Sequence, residues 1–295
     1  PRTARMLRSP LSARCLKKAR ARGDCLMMVS EKEFVFRHKF TKGAENENYH
    51  LHNHSDSYEI LLYICGDAEF VVEGSRYKMS PYDIVIASDF EVHLMDHKSK
   101  KDYERIVINV DKSFFTNRGC ENYKKVFIER VLGENNLIPY ETAKQAGLID
   151  ALFRIEEYLS DYADLGVAAS AAFTEFLYML NRVGMTDTKE DKPYKKNEQI
   201  KSVILYINEH LTESLSLDVI SNEFYISKGH LCRIFKASTG YTLNNYIAYK
   251  RLLYARELAT TGMSWTNASI EAGFGNYSNF YRTYVRNFGV PPRKS

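Results

Sequence analysis

From residue 29 to about 112 the chain alternates short apolar runs with turn residues. YEILLYICG (58–66), AEFVVEGSRYKM (68–79), DIVIAS (83–88) and YERIVINV (103–110) are rich in β-branched and aromatic residues. Gly66-Asp67, Glu73-Gly74-Ser75 and Ser80-Pro81 punctuate them. Short strands at roughly 8–12-residue spacing predict a small antiparallel barrel or jelly roll. From about 121 to 183 the period turns helical. Leu148, Leu152, Ile155 and Leu159 form one apolar stripe, and Phe173, Phe176, Leu177 and Leu180 form a second. Those faces must be buried, either on the barrel or against a second copy of the same helices. Residues 184–197, GMTDTKEDKPYKKN, lack periodicity and are expected to be a linker. After them the pattern is helical, and proline is absent from 194 to 290.

The helical third contains a repeat. Leu231-x-Arg233-x-Phe235 returns 49 residues later as Phe280-x-Arg282-x-Tyr284, and each segment closes on a glycine, Gly240 and Gly289. Each copy is preceded by a short amphipathic segment, SLDVISNEF (216–224) and SWTNASIEAGF (264–274). A solenoid needs about three repeats. Two copies fit a pair of helix-turn-helix units, the turn of the second one residue longer. Ser227 is the expected N-cap of the first long helix. On that helix Gly229, Cys232, Arg233 and Lys236 share the face opposite Leu231, Ile234 and Phe235. In the second copy Ser278, Tyr281 and Arg282 point outward, while Phe280 and Tyr284 point inward. Residues 242–262 between the copies predict a helix of about 27 Å. A spacer of that size sets two recognition helices roughly one DNA turn, about 34 Å, apart.

An outward arginine can bond the O6/N7 edge of a guanine with two parallel N–H groups. Lys228, Lys236, Lys250, Arg251 and Arg286 suit phosphates, which position a protein without reading sequence. Lys228, Asn276, Tyr277 and Arg286 complete the expected DNA-facing set with the residues above.

Composition sharpens this picture. The 295 residues are 44% hydrophobic and 26% charged, as in a globular protein of two ordinary domains. The net charge of +4 hides an asymmetry: residues 1–28 carry +7, residues 29–196 carry −7 and residues 197–295 carry +4. Phosphate is attracted to the last third and repelled by the middle. No run of about 18 uncharged apolar residues suggests a membrane partner. Five scattered cysteines without a C-x-x-C pair point to free thiols in a reducing compartment, hence the cytoplasm. Residues 1–28 are Arg-rich and acid-poor, and are expected to be a disordered or non-native basic extension.

The segments SKGHLCRIFKASTG, YIAYKRLLYARELATT and EAGFGNYSNFYRTYVRNFGVPP resemble the double helix-turn-helix domain of the AraC/XylS family of bacterial transcription regulators. The resemblance covers 200–292. It implies seven helices, with 228–238 and 277–287 as recognition helices. Three departures stand out. Tyr225 occupies a turn that usually carries a small residue or glycine, which predicts distortion. Ser221 and Ser269 stand where the family usually has alanine. Gly229 and Cys232 leave the first recognition helix sparse beside Arg233.

The multidomain α and β organisation is then a cupin-like sensor barrel (29–120), a helical dimerisation segment (121–183), the linker (184–197) and an all-α double helix-turn-helix domain (198–295). His52-x-His54-x4-Glu59-x6-Gly66 fits the first cupin motif, and His93 falls where the second places its histidine. If any metal is bound, these four residues hold it, and the alternative is a metal-dependent cupin enzyme with a helical appendage. Tyr82 and His97 depart from the second motif. Sensor domains of this family keep the His and Glu pattern without a catalytic metal, so neither cofactor nor enzyme activity is expected. The interior is expected to hold a small-molecule effector near His54, Tyr58, Tyr63, Phe70 and His93, since alternate strand positions face inward. The implied partners are double-stranded DNA, a second copy of the chain, and RNA polymerase if the protein activates.

Overall fold

A computed structural model describes residues 25–30, 33–44, 57–160, 167–184 and 195–292. Strands β1 (Cys25–Ser30), β2 (Phe34–Thr41), β3 (Ser57–Cys65), β6 (Ile84–Ala87), β8 (Tyr103–Asp111) and β9 (Leu137–Ile138) form one antiparallel sheet, ordered β1-β2-β8-β3-β6-β9. Strands β4 (Ala68–Val72), β5 (Ser75–Lys78), β7 (His93–His97) and β10 (Lys195–Lys196) form a second, ordered β10-β5-β4-β7. Of the expected barrel or jelly roll, the structure has the antiparallel strands, divided between two facing sheets that do not close into a barrel. Leu61, Tyr63 and Val85 of the larger meet Phe70, Val72, Tyr77 and Met95 of the smaller in a core between them. Of the basic extension, 1–24 lie outside the described residues, whereas 25–28 belong to β1 and pair with β2.

The other face of the larger sheet is covered by helices. After α1 (Lys112–Asn117), a 3-10 turn at Glu121–Lys124 runs into α2 (Lys125–Ile128), followed by α3 (Tyr140–Gln145), α4 (Leu148–Ser160) and α5 (Val167–Gly184). Both apolar stripes, on α4 and α5, join Phe34, Phe36, Ile60 and Ile108 in one buried cluster. The stripes are spent on this chain's own sheet, so they cannot be the seam of a dimer. One charged group crosses the layer. Buried His38 on β2 places Nδ1 2.6 Å from Glu156 on α4 and Nε2 3.0 Å from Glu104 on β8. Burial pulls its pKa down, but the two carboxylates override burial and raise it to about 9.

The last third is helical: α6 (Glu198–Glu209), α7 (Leu217–Glu223), α8 (Lys228–Thr239), α9 (Leu243–Thr260), α10 (Trp265–Glu271) and α11 (Tyr277–Phe288). That is six helices among the described residues, one fewer than the resemblance implies. Each begins at a residue whose side chain accepts a first-turn N–H: Asn197, Ser216, Ser227, Thr242, Ser264 and Asn276. Such a cap is worth about 1 kcal/mol. Ile220, Leu231, Phe235, Tyr246, Leu253, Phe280 and Tyr284 share one core. No helix among the described residues is long and apolar enough to cross a membrane.

The two halves meet at a polar seam. The expected linker does not simply hang between them, because Lys195 and Lys196 pair with Arg76 and Ser75 and extend the smaller sheet. Beyond it, Glu73 in the β4–β5 turn is 1% exposed and Lys250 on α9 is 4% exposed, as judged by their side chains. Lys250 Nζ lies 2.8 Å from Glu73 Oε1 and 2.7 Å from the Phe90 carbonyl. The Tyr246 hydroxyl donates to the other Glu73 oxygen. Lys250 is thus a buried seam residue and is unavailable to phosphate.

Candidate nucleic-acid interface

Helix α8 is fixed at both ends. Ser227 Oγ accepts from the His230 N–H at 3.4 Å, and Gly240 closes the helix at φ 82°. Helix α11 repeats this, with Asn276 Oδ1 2.8 Å from the Asn279 nitrogen and Gly289 at φ 70°. Left-handed caps of this kind favour glycine, which explains why each repeat closes on one. The inner faces are anchored by Leu231 and Phe235 in α8, and by Phe280 and Tyr284 in α11, all buried. Trp265 stacks on Phe280 at 5.8 Å.

The opposite faces are open. Gly229, Cys232, Arg233 and Lys236 are exposed on α8, and Ser278, Tyr281, Arg282 and Arg286 are exposed on α11. Arg233, Lys236, Arg282 and Arg286 make no side-chain hydrogen bond or ion pair among the described residues. Their charges are available for base edges or phosphates. The remaining candidates are less free. Lys228 is exposed but ion-paired with Asp218. Asn276 is exposed, yet its side-chain oxygen is committed to the cap. Tyr277 is half-buried, its ring 5.6 Å from Phe280. Arg251 bonds the Leu211 and Glu213 carbonyls, and burial lowers its pKa, so it braces α9 instead of facing solvent.

The turn expected to be distorted is regular. Tyr225 adopts φ 52°, the left-handed region also used by Gly273 at φ 86°. In both copies the next residue returns a backbone hydrogen bond to the serine five positions earlier: Ile226 to Ser221 at 2.9 Å and Phe274 to Ser269 at 3.0 Å. Tyr225 is tolerated because its side chain projects into solvent, 97% exposed. A Cβ on Gly273 would instead meet Arg251 Nε at 2.9 Å and the Thr212 carbonyl at 3.0 Å. The serines that replace alanine are buried without orphaned hydroxyls. Ser221 donates to the Asp218 carbonyl at 3.0 Å and Ser269 to that of Thr266 at 2.8 Å.

Between the sheets lies a cavity of about 290 Å³, lined in part by Phe70 and His93 as expected. Tyr58 does not reach it, because it faces the helices and stacks on Phe127 at 4.7 Å. Tyr58 and Tyr63 are an odd number of residues apart, so one regular strand cannot turn both inward. Tyr63 does face the inter-sheet core, packed on Tyr103 at 5.8 Å beside the cavity. His52 and His54 lie outside the described residues. Of the proposed metal set the structure shows Glu59 and His93, whose Oε1 and Nε2 are 3.4 Å apart. No group of three or more His, Cys, Asp or Glu side chains arranged to hold a metal occurs among the described residues.

Sequence reasoning missed Arg37, Lys39 and Arg105, which also line the cavity. The signal was present in FVFRHKFT (34–41), where buried Phe34, Phe36, His38 and Phe40 alternate with Arg37 and Lys39. Period-two reading of that run places both cations on the face away from the helices.

Comparison with known proteins agrees with the repeat. A helix-turn-helix domain family matches residues 220–295. The chain is 22% identical over 258 residues to the HTH-type transcriptional activator RhaS of Enterobacter sp. (strain 638), covering 82% of this chain and 86% of that protein. It is 23% identical over 259 residues to RhaS of Escherichia fergusonii, covering 87% and 89%. A solved structure of ToxT from Vibrio cholerae aligns over 88% of this chain and 97% of that one, with 14% identity and a TM-score of 0.36. With two exposed, doubly capped recognition helices on one side and the helix-turn-helix match over residues 220–295 on the other, the chain carries a helix-turn-helix DNA-binding domain and is similar along most of its length to transcriptional activators.

Proposed function

We propose that the protein reads a specific operator with both recognition helices and that a small molecule held between its sheets controls that reading. The observation that carries this is the duplicated face: two helices with matched caps and buried aromatic anchors, each presenting an uncommitted arginine. Arg233 and Arg282 are placed to take guanine edges in successive major grooves. Lys236 and Arg286, with Lys228 once it leaves Asp218, hold phosphates. Gly229 and Cys232 give α8 little else to read with, so α11, with Tyr281 beside Arg282, carries more of the discrimination.

Control requires a path from cavity to helix, and β7 supplies a short one. His93 and Leu94 line the cavity. The His93 carbonyl accepts from the Tyr241 hydroxyl at 3.3 Å, and a Cβ on Gly240 would come within 2.5 Å of Leu94. Arg76 donates to the Ala237 carbonyl at 2.7 Å, in the last turn of α8. A ligand that moves β7 therefore presses on the end of the first recognition helix. It shifts DNA affinity only by its difference in affinity for the bound and free arrangements. Dimerisation, in this reading, uses the outward side of α4 and α5, where Tyr158 and Tyr178 are exposed. An activator would also contact RNA polymerase.

The test is operator binding at fixed salt. Arg233→Ala and Arg282→Ala should each cost about 1–3 kcal/mol and relax specificity at their own positions. Wild-type affinity in both variants removes these residues from the readout.

A further inference from the structure

One turn ahead of each outward arginine stands a second polar side chain. His230 precedes Arg233 by three positions, and Asn279 precedes Arg282 by three, so the pairs match across the repeat at the same offset of 49 residues. Three residues of helix turn through about 300° and rise about 4.5 Å, which keeps each pair on one face. His230 lies about 60° round the axis from Arg233, whereas Cys232 lies about 100° away. His230 is therefore nearer the middle of the open face than Cys232 is. Both His230 and Asn279 are exposed. Their backbone nitrogens donate to the caps, Ser227 Oγ and Asn276 Oδ1, which fixes where the side chains start. Neither side chain makes a hydrogen bond or ion pair among the described residues.

Beside His230, the fold does not demand the glycine at 229. Its backbone is helical and not left-handed, and a Cβ there would meet nothing within 4 Å among the described residues. A glycine within a helix costs stability relative to alanine, and here neither backbone geometry nor packing requires one. What glycine does permit is close approach of the backbone to a ligand. Ser278 holds the equivalent place in the second copy.

We propose that His230 and Asn279 are second base readers, each taking the base pair next to the one held by its arginine, and that Gly229 lets the first recognition helix sit close enough for His230 to reach. The inference rests on operator reading by both helices and names further residues of that readout. The rise of about 4.5 Å between paired positions is close to the roughly 3.4 Å step along a DNA strand, so neighbouring side chains meet neighbouring base pairs. The amide of Asn279 matches adenine, accepting from N6 and donating to N7. His230 donates a ring N–H to guanine N7 or O6. Helix α8 thereby gains the reading side chain that Gly229 and Cys232 do not supply, while α11 has Asn279 and Tyr281 beside Arg282.

The test is selection of sites from a random duplex pool by the full chain, in parallel with His230→Ala, Asn279→Ala, Arg233→Ala and Arg282→Ala. All four positions are exposed, and each variant is checked for melting temperature and for affinity to an unrelated duplex. His230→Ala should lose preference at a base pair adjacent to the one lost by Arg233→Ala. Asn279→Ala should lose an A·T pair adjacent to the one lost by Arg282→Ala. On the selected site each should bind about fivefold to a hundredfold more weakly, with affinity for the unrelated duplex unchanged. Gly229→Ala should melt at or above the wild-type temperature yet bind the selected site at least about fivefold more weakly. An equal loss on the unrelated duplex marks a phosphate contact and overturns base reading by that residue. A wild-type selection by His230→Ala or Asn279→Ala, while its arginine variant alters the site, overturns that second reader and leaves reading by the arginines standing. Wild-type selections by all four variants remove operator reading by these helices and the second readers with it. A Gly229→Ala variant that binds as tightly as wild type, or melts below it, overturns the close approach.

Discussion

His38 shows how a single side chain ties a helix to a sheet here. Its protonated ring donates to Glu104 on its own sheet and to Glu156 on α4, all three buried. Folding raises its pKa from 6.5 to about 9, so this contribution is fully present below pH 6.5 and is lost as pH rises through about 9. The contribution is on the order of 3 kcal/mol. Melting temperature should therefore fall between pH 6.5 and 9 in wild type, and His38→Gln should start lower and lack that fall. An identical pH profile in the variant would show that the ring is not the titrating group. Nothing local in FVFRHKFT announces this role, because both carboxylates arrive from distant segments. The repeat that carries Arg233 and Arg282 was legible for the opposite reason: both of its copies lie within the sequence itself. The cavity residues fell between these cases. Phe70 and His93 follow from strand alternation, whereas choosing Tyr58 along with Tyr63 broke that same alternation.

At the level of elements, periodicity located helices and strands well but did not say what covers them. The stripes on α4 and α5 were visible as stripes, yet burial against β2, β3 and β8 depends on topology. The strand at Lys195–Lys196 was hidden for a similar reason, since two residues carry no pattern of their own and the pairing partner is β5. Lys250 is the sharpest case. On a helix between two DNA-reading units it looks like a phosphate contact, but the β4–β5 turn delivers Glu73 to it. Removing one partner of such a buried pair leaves an uncompensated charge and costs about 3–5 kcal/mol. Lys250→Met should lower urea stability by that amount, and Glu73→Leu combined with Lys250→Met should recover much of it. If the double variant is no more stable than the single, the loss comes from packing and not from a stranded carboxylate.

Across the whole molecule, the two halves differ in charge, in secondary structure and in how much their sequences reveal. The basic, duplicated third shows its helix-turn-helix repeat openly, and six of the seven expected helices occur among the described residues. The acidic first part reveals strands but leaves open whether they close into a barrel or divide into two sheets, because closure and strand order rest on long-range pairing such as β2 with β8. The central claim is that both copies of the repeat read DNA together. Sequencing the genomic fragments retained by the full chain, with parallel selections by Arg233→Ala and Arg282→Ala, tests it most directly. The account predicts a recurrent site with two elements about 10–10.5 base pairs apart, one degenerate in each variant's selection. Fragments sharing no sequence, or one element unaffected by either substitution, would contradict it.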